Sequence, residues 1–121
     1  MLKKQRKYLI VADMIIAGEK EGPVCPSPKK IGAIAMGENP VIFDSVISRL
    51  MGMKEKYFST LNIAKGSKGK YRLIEDDVKE NILSNDTQLS NKKIEEIKDK
   101  DIWYFIPTSG WEEAFKCRKE E

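Results

Sequence analysis

A helix between residues 40 and 51 is the feature that most constrains this chain. Asn39 is a favourable N-cap, and Pro40 suits the first helical position, where no N–H is needed. Apolar side chains then recur at helical spacing on one face: Phe43, Val46, Ile47, Leu50 and Met51. Gly52 follows, which is typical of a residue that ends a helix. The pattern predicts an amphipathic helix whose apolar stripe must be covered.

Two β-prone runs precede this helix, over residues 8–17 and 30–36, and a glycine follows each run. Between them, residues 18–28 hold two glycines and three prolines, which favours a loop. Further along, the sequence predicts a second helix over 54–65, a basic turn over 66–70, a short strand over 78–83, a surface helix over 91–100 and a strand over 102–106. This order predicts an α/β or α+β fold with a small mixed sheet and two to three helices.

The chain has 121 residues, which suits a single domain, with a core expected over about residues 8–115. No apolar run approaches the ~18 residues of a membrane span, so no membrane association is expected. The basic N-terminal residues precede an apolar stretch that Asp13 interrupts, and no small-residue cleavage motif follows it. We therefore expect no targeting segment and a cytoplasmic location.

Histidine is absent from the sequence, which excludes Ser-His-Asp and Cys-His catalysis and His-ligated zinc within this chain. The two cysteines, Cys25 and Cys117, cannot alone supply a four-thiolate zinc site or hold an iron–sulfur cluster. They can form a disulfide or stay as thiols, and the residue pattern favours thiols. These residue types identify no cofactor and leave open whether the chain is an enzyme.

Acidic residues around the predicted loop form the first candidate site. Glu19, Glu21 and Gly22 directly follow a predicted strand, Asp13 lies upstream, and Asp44 lies near the start of the predicted helix. Carboxylate oxygens suit Mg²⁺ or Ca²⁺ and general acid or base chemistry, so Asp13, Glu19 and Glu21 are the candidate metal ligands. The alternative is a solvated turn, with Asp44 as an acid that the helix dipole favours.

Two more residues are candidates for ligand binding. Asn39 lies at a helix start, where free N–H groups can bind an anion, but a simple capping role is favoured. Trp111 follows the run 105–110 and can be a stacking platform for a planar ligand. The favoured alternative is that Trp111 covers an edge of the core.

The formal charge of +3 is unevenly distributed. Residues 1–72 carry 14 Lys and Arg against 6 Asp and Glu, whereas residues 73–121 carry 8 against 13. Attraction between the two halves, or to a partner segment, is the favoured explanation. Nucleic-acid binding is a weaker one, because its basic residues lie in termini and turns with few adjacent aromatics. Those residues are Lys3, Lys4, Arg6, Lys7, Lys65, Lys68, Lys70 and Arg72.

An ordered series of motifs covers most of the chain. It comprises Asp13 opening an apolar run, an acidic loop ending in Gly22-Pro23, Pro28-Lys29-Lys30-Ile31-Gly32, Asn39-Pro40-Val41-Ile42-Phe43-Asp44, Leu50-Met51-Gly52, and Phe105-Ile106-Pro107 with Gly110-Trp111. This series resembles the C-terminal part of the domain of unknown function 362 family. Members of that family are usually longer, with a large α/β portion before the part that is matched here.

The resemblance implies that this chain is a fragment, or a separately encoded half, of a larger α/β architecture. Asp13, Glu19, Glu21 and Asp44 are the positions that match the family's acidic pattern. The ferredoxin-type cysteine clusters of some members are missing here, so no iron–sulfur cluster is implied. Two functional hypotheses follow. The chain contributes an acidic site for a divalent metal or small ligand, or it is a non-catalytic module that pairs with a partner chain or with itself.

Overall fold

The computed structural model describes residues 7, 9–67 and 81–117, which form an α+β arrangement of two antiparallel strands and two α-helices. The elements are β1 (Ile10–Glu21), β2 (Cys25–Gly37), α1 (Pro40–Met51) and α2 (Ser59–Gly66). Short 3₁₀ helices lie at Glu55–Tyr57, Ile94–Glu96, Asp99–Asp101 and Glu112–Ala114. Within the described ranges, no helix combines the length and apolar character needed to cross a bilayer.

Several predicted features lie outside the described residues. They are part of the basic turn (68–70), most of the basic residues assigned to nucleic-acid binding, and the first half of the predicted strand 78–83. In the described half of that predicted strand, only an isolated bridge from Asn81 to Lys93 forms.

The two strands form a hairpin that is longer than predicted. Pairing runs from Ile10 opposite Gly37 to Glu21 opposite Cys25, so the predicted loop over 18–28 is wrong except at the turn, residues 22–24. Proline is tolerated here because its ring lies at a ladder position that needs no N–H. Pro26 pairs with Lys20, and the Lys20 N–H points away from the partner strand and donates to the Ile106 carbonyl at 2.8 Å.

A β-bulge divides the hairpin into two segments. Between the pairs Met14–Ala33 and Ile16–Lys30, two residues of β2 lie opposite one residue of β1. One of the two is Gly32, whose φ of 74° is in the left-handed region. Opposite the bulge, within β1, Asp13 Oδ1 accepts a hydrogen bond from the Ile15 N–H at 3.0 Å.

Helix α1 confirms the prediction at both ends. The Asn39 side chain accepts hydrogen bonds from the N–H groups of Val41 and Ile42. Gly52 ends the helix with φ 90°, and its N–H donates to the Arg49 carbonyl at 3.0 Å. Local capping signals suffice here because every contact that they require lies within a few residues of the helix ends.

The core forms between α1 and the C-terminal third of the chain. Leu50, Ile97 and Ile102 pack together, and half-buried side chains surround them: Val46, Ile82, Leu89, Trp103 and Tyr104. The predicted helix over 91–100 is wrong, because two 3₁₀ turns replace it. The predicted strand over 102–106 is also wrong. Its N–H groups at Trp103 and Phe105 donate to the carbonyls of Leu50 and Met51, which end α1, instead of joining the sheet.

Substitution of Gly52 by alanine should destabilise the protein by about 1–2 kcal/mol. A side chain at φ 90° is strained, and the new Cβ would lie 3.2 Å from Ile102 Cγ2 in the core. Gly66→Ala is the matched control, because no atom lies within 4 Å of its Cβ position, and helix propensity favours alanine. Urea unfolding of the two variants tests this. Equal stability of Gly52→Ala and the wild type would contradict the role assigned to Gly52.

Candidate functional site

The acidic candidates are dispersed over the structure. Asp13 lies at the bulge, Glu19 and Glu21 lie near the hairpin turn, and Asp44 is exposed on α1. In the part of the chain that the structure describes, no group of three or more Asp, Glu or Cys side chains is placed to hold a metal ion. The proposed ligand set of Asp13, Glu19 and Glu21 is therefore not assembled.

Glu19 connects the hairpin to the segment that follows the core. Its Oε2 lies 3.0 Å from Lys29 Nζ and accepts a hydrogen bond from the Ile106 N–H, also at 3.0 Å. Burial raises the pKa of the Glu19 carboxyl, but the Ile106 N–H and the Lys29 ammonium outweigh burial and bring this pKa below its ordinary value. The charged form is thus held by this chain's own groups.

Glu21 makes a second connection to the same segment. One carboxylate oxygen accepts from Thr108 Oγ1 at 2.7 Å, and the other accepts from Ser109 Oγ at 2.6 Å and from the Ser109 N–H at 3.0 Å. The hydrogen bonds from Ser109 and Thr108 lower the pKa of Glu21. Together, Glu19 and Glu21 attach residues 106–109 to the hairpin, which is a structural role.

These contacts predict a stability that depends on acid pH. Both carboxyl pKa values are lower in the folded than in the unfolded chain, so their contribution is present above the ordinary carboxyl pKa of about 4.3. It is lost as the pH falls through the lower folded values. Thermal unfolding should therefore show a nearly constant midpoint near neutral pH and a falling midpoint below about pH 4.5.

The variant Glu21→Gln should show a smaller fall of the midpoint with acid, because its side chain no longer titrates. Glu38→Gln, which changes an exposed carboxylate outside this contact, is the control. Identical pH profiles for Glu21→Gln and the wild type would mean that Glu21 does not hold the 108–109 turn in solution.

The remaining candidates have local roles or stay untested. Asn39 caps α1, as the favoured interpretation predicts. Gly22 lies in the hairpin turn, and its N–H donates to the Lys20 carbonyl at 2.9 Å. Trp111 is half-exposed and directly precedes the 3₁₀ helix Glu112–Ala114. Cys25 and Cys117 are both exposed and are not joined in a disulfide.

An open cleft of about 1240 Å³ lies beside the 103–107 segment, and the sequence analysis missed it. Its aromatic lining comes from Trp103, Tyr104, Phe105 and Phe115. Tyr104 has φ 49°, a strained conformation for a residue with a side chain. The consecutive aromatics at 103–105 are the sequence signal for this surface, but aromatic residues are also typical of strands, and the sequence predicts a strand here.

Two of the lysines of the cleft already have acidic partners. Lys29 pairs with Glu19, donates to the Tyr104 carbonyl at 3.1 Å and lies 5.3 Å from the centre of the Phe105 ring. Lys116 pairs with Asp99 at 3.0 Å. These cations stabilise the walls of the cleft, and their pairing leaves little uncompensated positive charge to attract an anionic ligand.

The hairpin has one face that is exposed and largely apolar, here called the hairpin solvent face. It is formed by the register pairs Val11 with Met36 and Asp13 with Ile34, and by Ile15, which lies on the same side of β1 as Val11 and Asp13. Its four apolar side chains are half or more exposed: Ile15 50%, Ile34 57%, Val11 58% and Met36 66%. Sequence analysis missed this face because the β1 run is apolar on both sides, so alternation does not reveal which side is covered.

The opposite face of the hairpin is only partly covered. Up to the bulge, it alternates with the solvent face along both strands and its side chains are half-buried, and beyond the bulge the exposed pair Ile16 and Lys30 lies on it. None of the residues of β1 or β2 is fully buried. A two-stranded sheet is marginally stable in water unless a third strand or another layer supports it. Side chains of the hairpin are therefore available to contact another polypeptide.

Comparisons with protein-family models, curated proteins and solved structures find no match to this chain. The resemblance to the domain of unknown function 362 family, and the larger architecture that it implies, therefore stay predictions.

Proposed function

We propose that the chain is a non-catalytic assembly module that pairs with another polypeptide through the hairpin solvent face. The observation that carries the proposal is the exposure of four large apolar side chains on one face of the hairpin: Val11, Ile15, Ile34 and Met36. Contiguous exposed apolar surface of this kind marks interaction sites in soluble proteins.

The energetics of the face support this proposal. Full burial of one Val, Ile or Met side chain contributes about 1.5–3 kcal/mol, and half or more of each of these four side chains remains to be covered. Covering them would offset part of the entropy lost on association. The partner would also supply the second layer that a two-stranded hairpin needs.

The alternative hypothesis of an acidic metal or ligand site has less support. Glu19 and Glu21 use their carboxylate oxygens to hold residues 106–109, and Asp13 accepts from the Ile15 N–H at the bulge. A catalytic or metal-binding carboxylate needs oxygens that are available to substrate or ion. The engagement of these acids within the chain therefore favours the assembly function.

Photo-crosslinking tests the assembly function. A photoreactive amino acid at position 34, in the cell that makes the chain, should join the chain to a second polypeptide. The same group at position 63 is the matched control, because Ile63 is also an exposed isoleucine but lies alone on α2. Crosslinking at position 34 but not at 63 is the expected result. Absence of any crosslinked species at position 34 would overturn the proposed function.

A further inference from the structure

The outer edge of β1 carries backbone hydrogen-bonding groups that no other strand occupies. In an antiparallel ladder, every second residue directs its N–H and C=O away from the neighbouring strand. Lys20 is such a residue, because its N–H donates outward to the Ile106 carbonyl at 2.8 Å. The same alternation applies to the even-numbered residues upstream, which are Ala12, Met14, Ile16 and Gly18. Their N–H groups meet no acceptor in the part of the chain that the structure describes. This outer edge, over residues 10–18, is here called the open edge.

The outer edge of β2 is protected against strand addition, whereas the open edge is not. Pro26 and Pro28 occupy outward positions of β2 and supply no N–H there, and the bulge at Gly32 distorts the same strand. Prolines and bulges are devices that prevent unwanted pairing at the edges of sheets. Residues 10–18 contain no proline, and Asp13 is their one charged residue. The open edge is therefore suited to accept a further strand.

We infer, on the basis of the proposed function, that the other polypeptide adds an extended antiparallel strand to the open edge and carries a basic residue opposite Asp13. The added strand would give the hairpin the third strand that stable sheets have. Side chains of this strand would lie beside Val11 and Ile15 and cover part of their exposed apolar surface. The open edge and the hairpin solvent face thus form one binding site.

Asp13 determines the chemistry of the added strand. Its side chain is exposed, and its contact within the described residues is the local hydrogen bond from the Ile15 N–H, with no ion pair. Opposite charges directly across an antiparallel pair stabilise it, and like charges destabilise it. The fitting strand therefore has Lys or Arg opposite Asp13, with apolar residues two positions away on each side, opposite Val11 and Ile15.

A second copy of this chain does not supply that basic residue from its own open edge. Since outward groups must face outward groups, even-numbered residues of one β1 would face even-numbered residues of the other. Asp13 would then face an odd-numbered residue, and Lys20 would lie on the other side of the strand. The odd-numbered residues of β1 are Val11, Asp13, Ile15, Ala17, Glu19 and Glu21, and none is basic. The partner is therefore a different polypeptide.

A synthetic peptide tests the open edge on the wild-type chain. Thr-Val-Val-Thr-Lys-Thr-Val, paired antiparallel with residues 11–17, places its lysine opposite Asp13 and a valine opposite both Val11 and Ile15. Nuclear magnetic resonance should show slower amide exchange on binding at Ala12, Met14 and Ile16. A peptide N-methylated at its second, fourth and sixth residues keeps every side chain but cannot donate to the edge, so it should bind about tenfold more weakly or worse. Equal affinity of the two peptides, or unchanged exchange at millimolar peptide, would overturn the edge strand.

A charge exchange tests the residue opposite Asp13. Asp13→Lys should weaken binding of the lysine peptide about threefold or more, and a peptide with glutamate in place of lysine should bind this variant better than it binds the wild type. Circular dichroism confirms that the variant is folded. If both peptides bind the wild type and the variant equally, the basic residue is overturned.

In the cell, the photoreactive group at position 34 reports whether the natural partner uses the open edge. Ile16→Pro removes one outward N–H and should reduce the crosslinked product about tenfold. Ile16→Thr, which keeps the N–H, should not reduce it. Lys30→Pro, which makes the matched change on the outer edge of β2 in the same register pair, should also leave the product unchanged. If Ile16→Pro is unfolded by circular dichroism, the N-methylated peptide decides.

These outcomes separate the edge strand from the assembly function. A product at position 34 that a folded Ile16→Pro leaves unchanged would overturn the edge strand and leave the assembly function standing. A product that contains a second copy of this chain would overturn the different polypeptide. Absence of any product at position 34 would overturn the assembly function, and with it the assignment of the edge strand to that function.

Discussion

Replacing Lys92 by methionine should destabilise the protein by about 3–5 kcal/mol, because it leaves the Asp101 carboxylate buried without its cation. Lys92 Nζ lies 2.6 Å from Asp101 Oδ2, and the same oxygen accepts from the Lys98 N–H at 2.9 Å. Asp101 is 8% exposed, and its other oxygen, Oδ1, is buried without a hydrogen-bond partner. The carboxylate therefore has little to compensate for the loss of Lys92.

The double variant Lys92→Met with Asp101→Leu is the informative control. A buried ion pair replaced by apolar side chains of similar size is often neutral, so the double variant should recover most of the stability that Lys92→Met loses. Urea unfolding of the two variants measures the difference. A double variant that is as unstable as the single one would mean that the cost comes from packing around Lys92 and not from the unpaired charge.

The Lys92–Asp101 ion pair also predicts how the stability lost in Lys92→Met, here called the deficit, depends on pH. Burial raises the pKa of Asp101, but the Lys92 ammonium and the Lys98 N–H outweigh it in the wild type, so this pKa lies below its ordinary value. Without Lys92, burial should dominate and raise the pKa above the unfolded value. Protonation then favours the folded state, so the deficit of Lys92→Met should be smaller near about pH 4 than at pH 7. A deficit that is independent of pH would contradict this account.

Helix α1 was predictable from sequence because its signals are local. The Asn39 cap, Pro40 and Gly52 act within one turn of the helix ends, and the structure places the helix where they predict. The predicted apolar stripe matches the buried face of the helix less closely, because Val41 is buried and the stripe does not include it. Which side of a helix is covered depends on the neighbouring segments, which periodicity does not specify.

The hairpin turn and the acidic residues were not predictable in the same way. Glu19 and Glu21 contact residues 106–109, which lie about 87 positions further along the chain. Because of these contacts, the two carboxylates attach that segment to the hairpin, although the sequence suggested them as metal ligands. The apolar run over 102–106 has strong strand propensity, but its N–H groups pair with the end of α1. Tertiary hydrogen bonds therefore decided both outcomes, and no spacing in the sequence encodes them.

Replacing Leu50 by alanine should cost about 3–5 kcal/mol of unfolding free energy, a large part of the stability of a domain of this size. Leu50 is buried against Ile97 and Ile102, so truncation leaves a cavity where α1 meets the C-terminal segment. Ile63→Ala is the control, because Ile63 is 74% exposed on α2, and its truncation should change stability by less than about 0.5 kcal/mol. Chemical denaturation measures both values.

The Leu50 variant also tests how far the hairpin depends on this core. The Trp103 and Phe105 N–H groups hold residues 103–105 to the end of α1, and Glu19 and Glu21 hold residues 106–109 to the hairpin. Loosening the core should therefore release both attachments. Amide exchange in β1 and β2 should accelerate in Leu50→Ala and stay unchanged in Ile63→Ala. If exchange in the hairpin is unchanged in Leu50→Ala, the hairpin is stabilised independently of the core, as an interface with a second polypeptide would achieve.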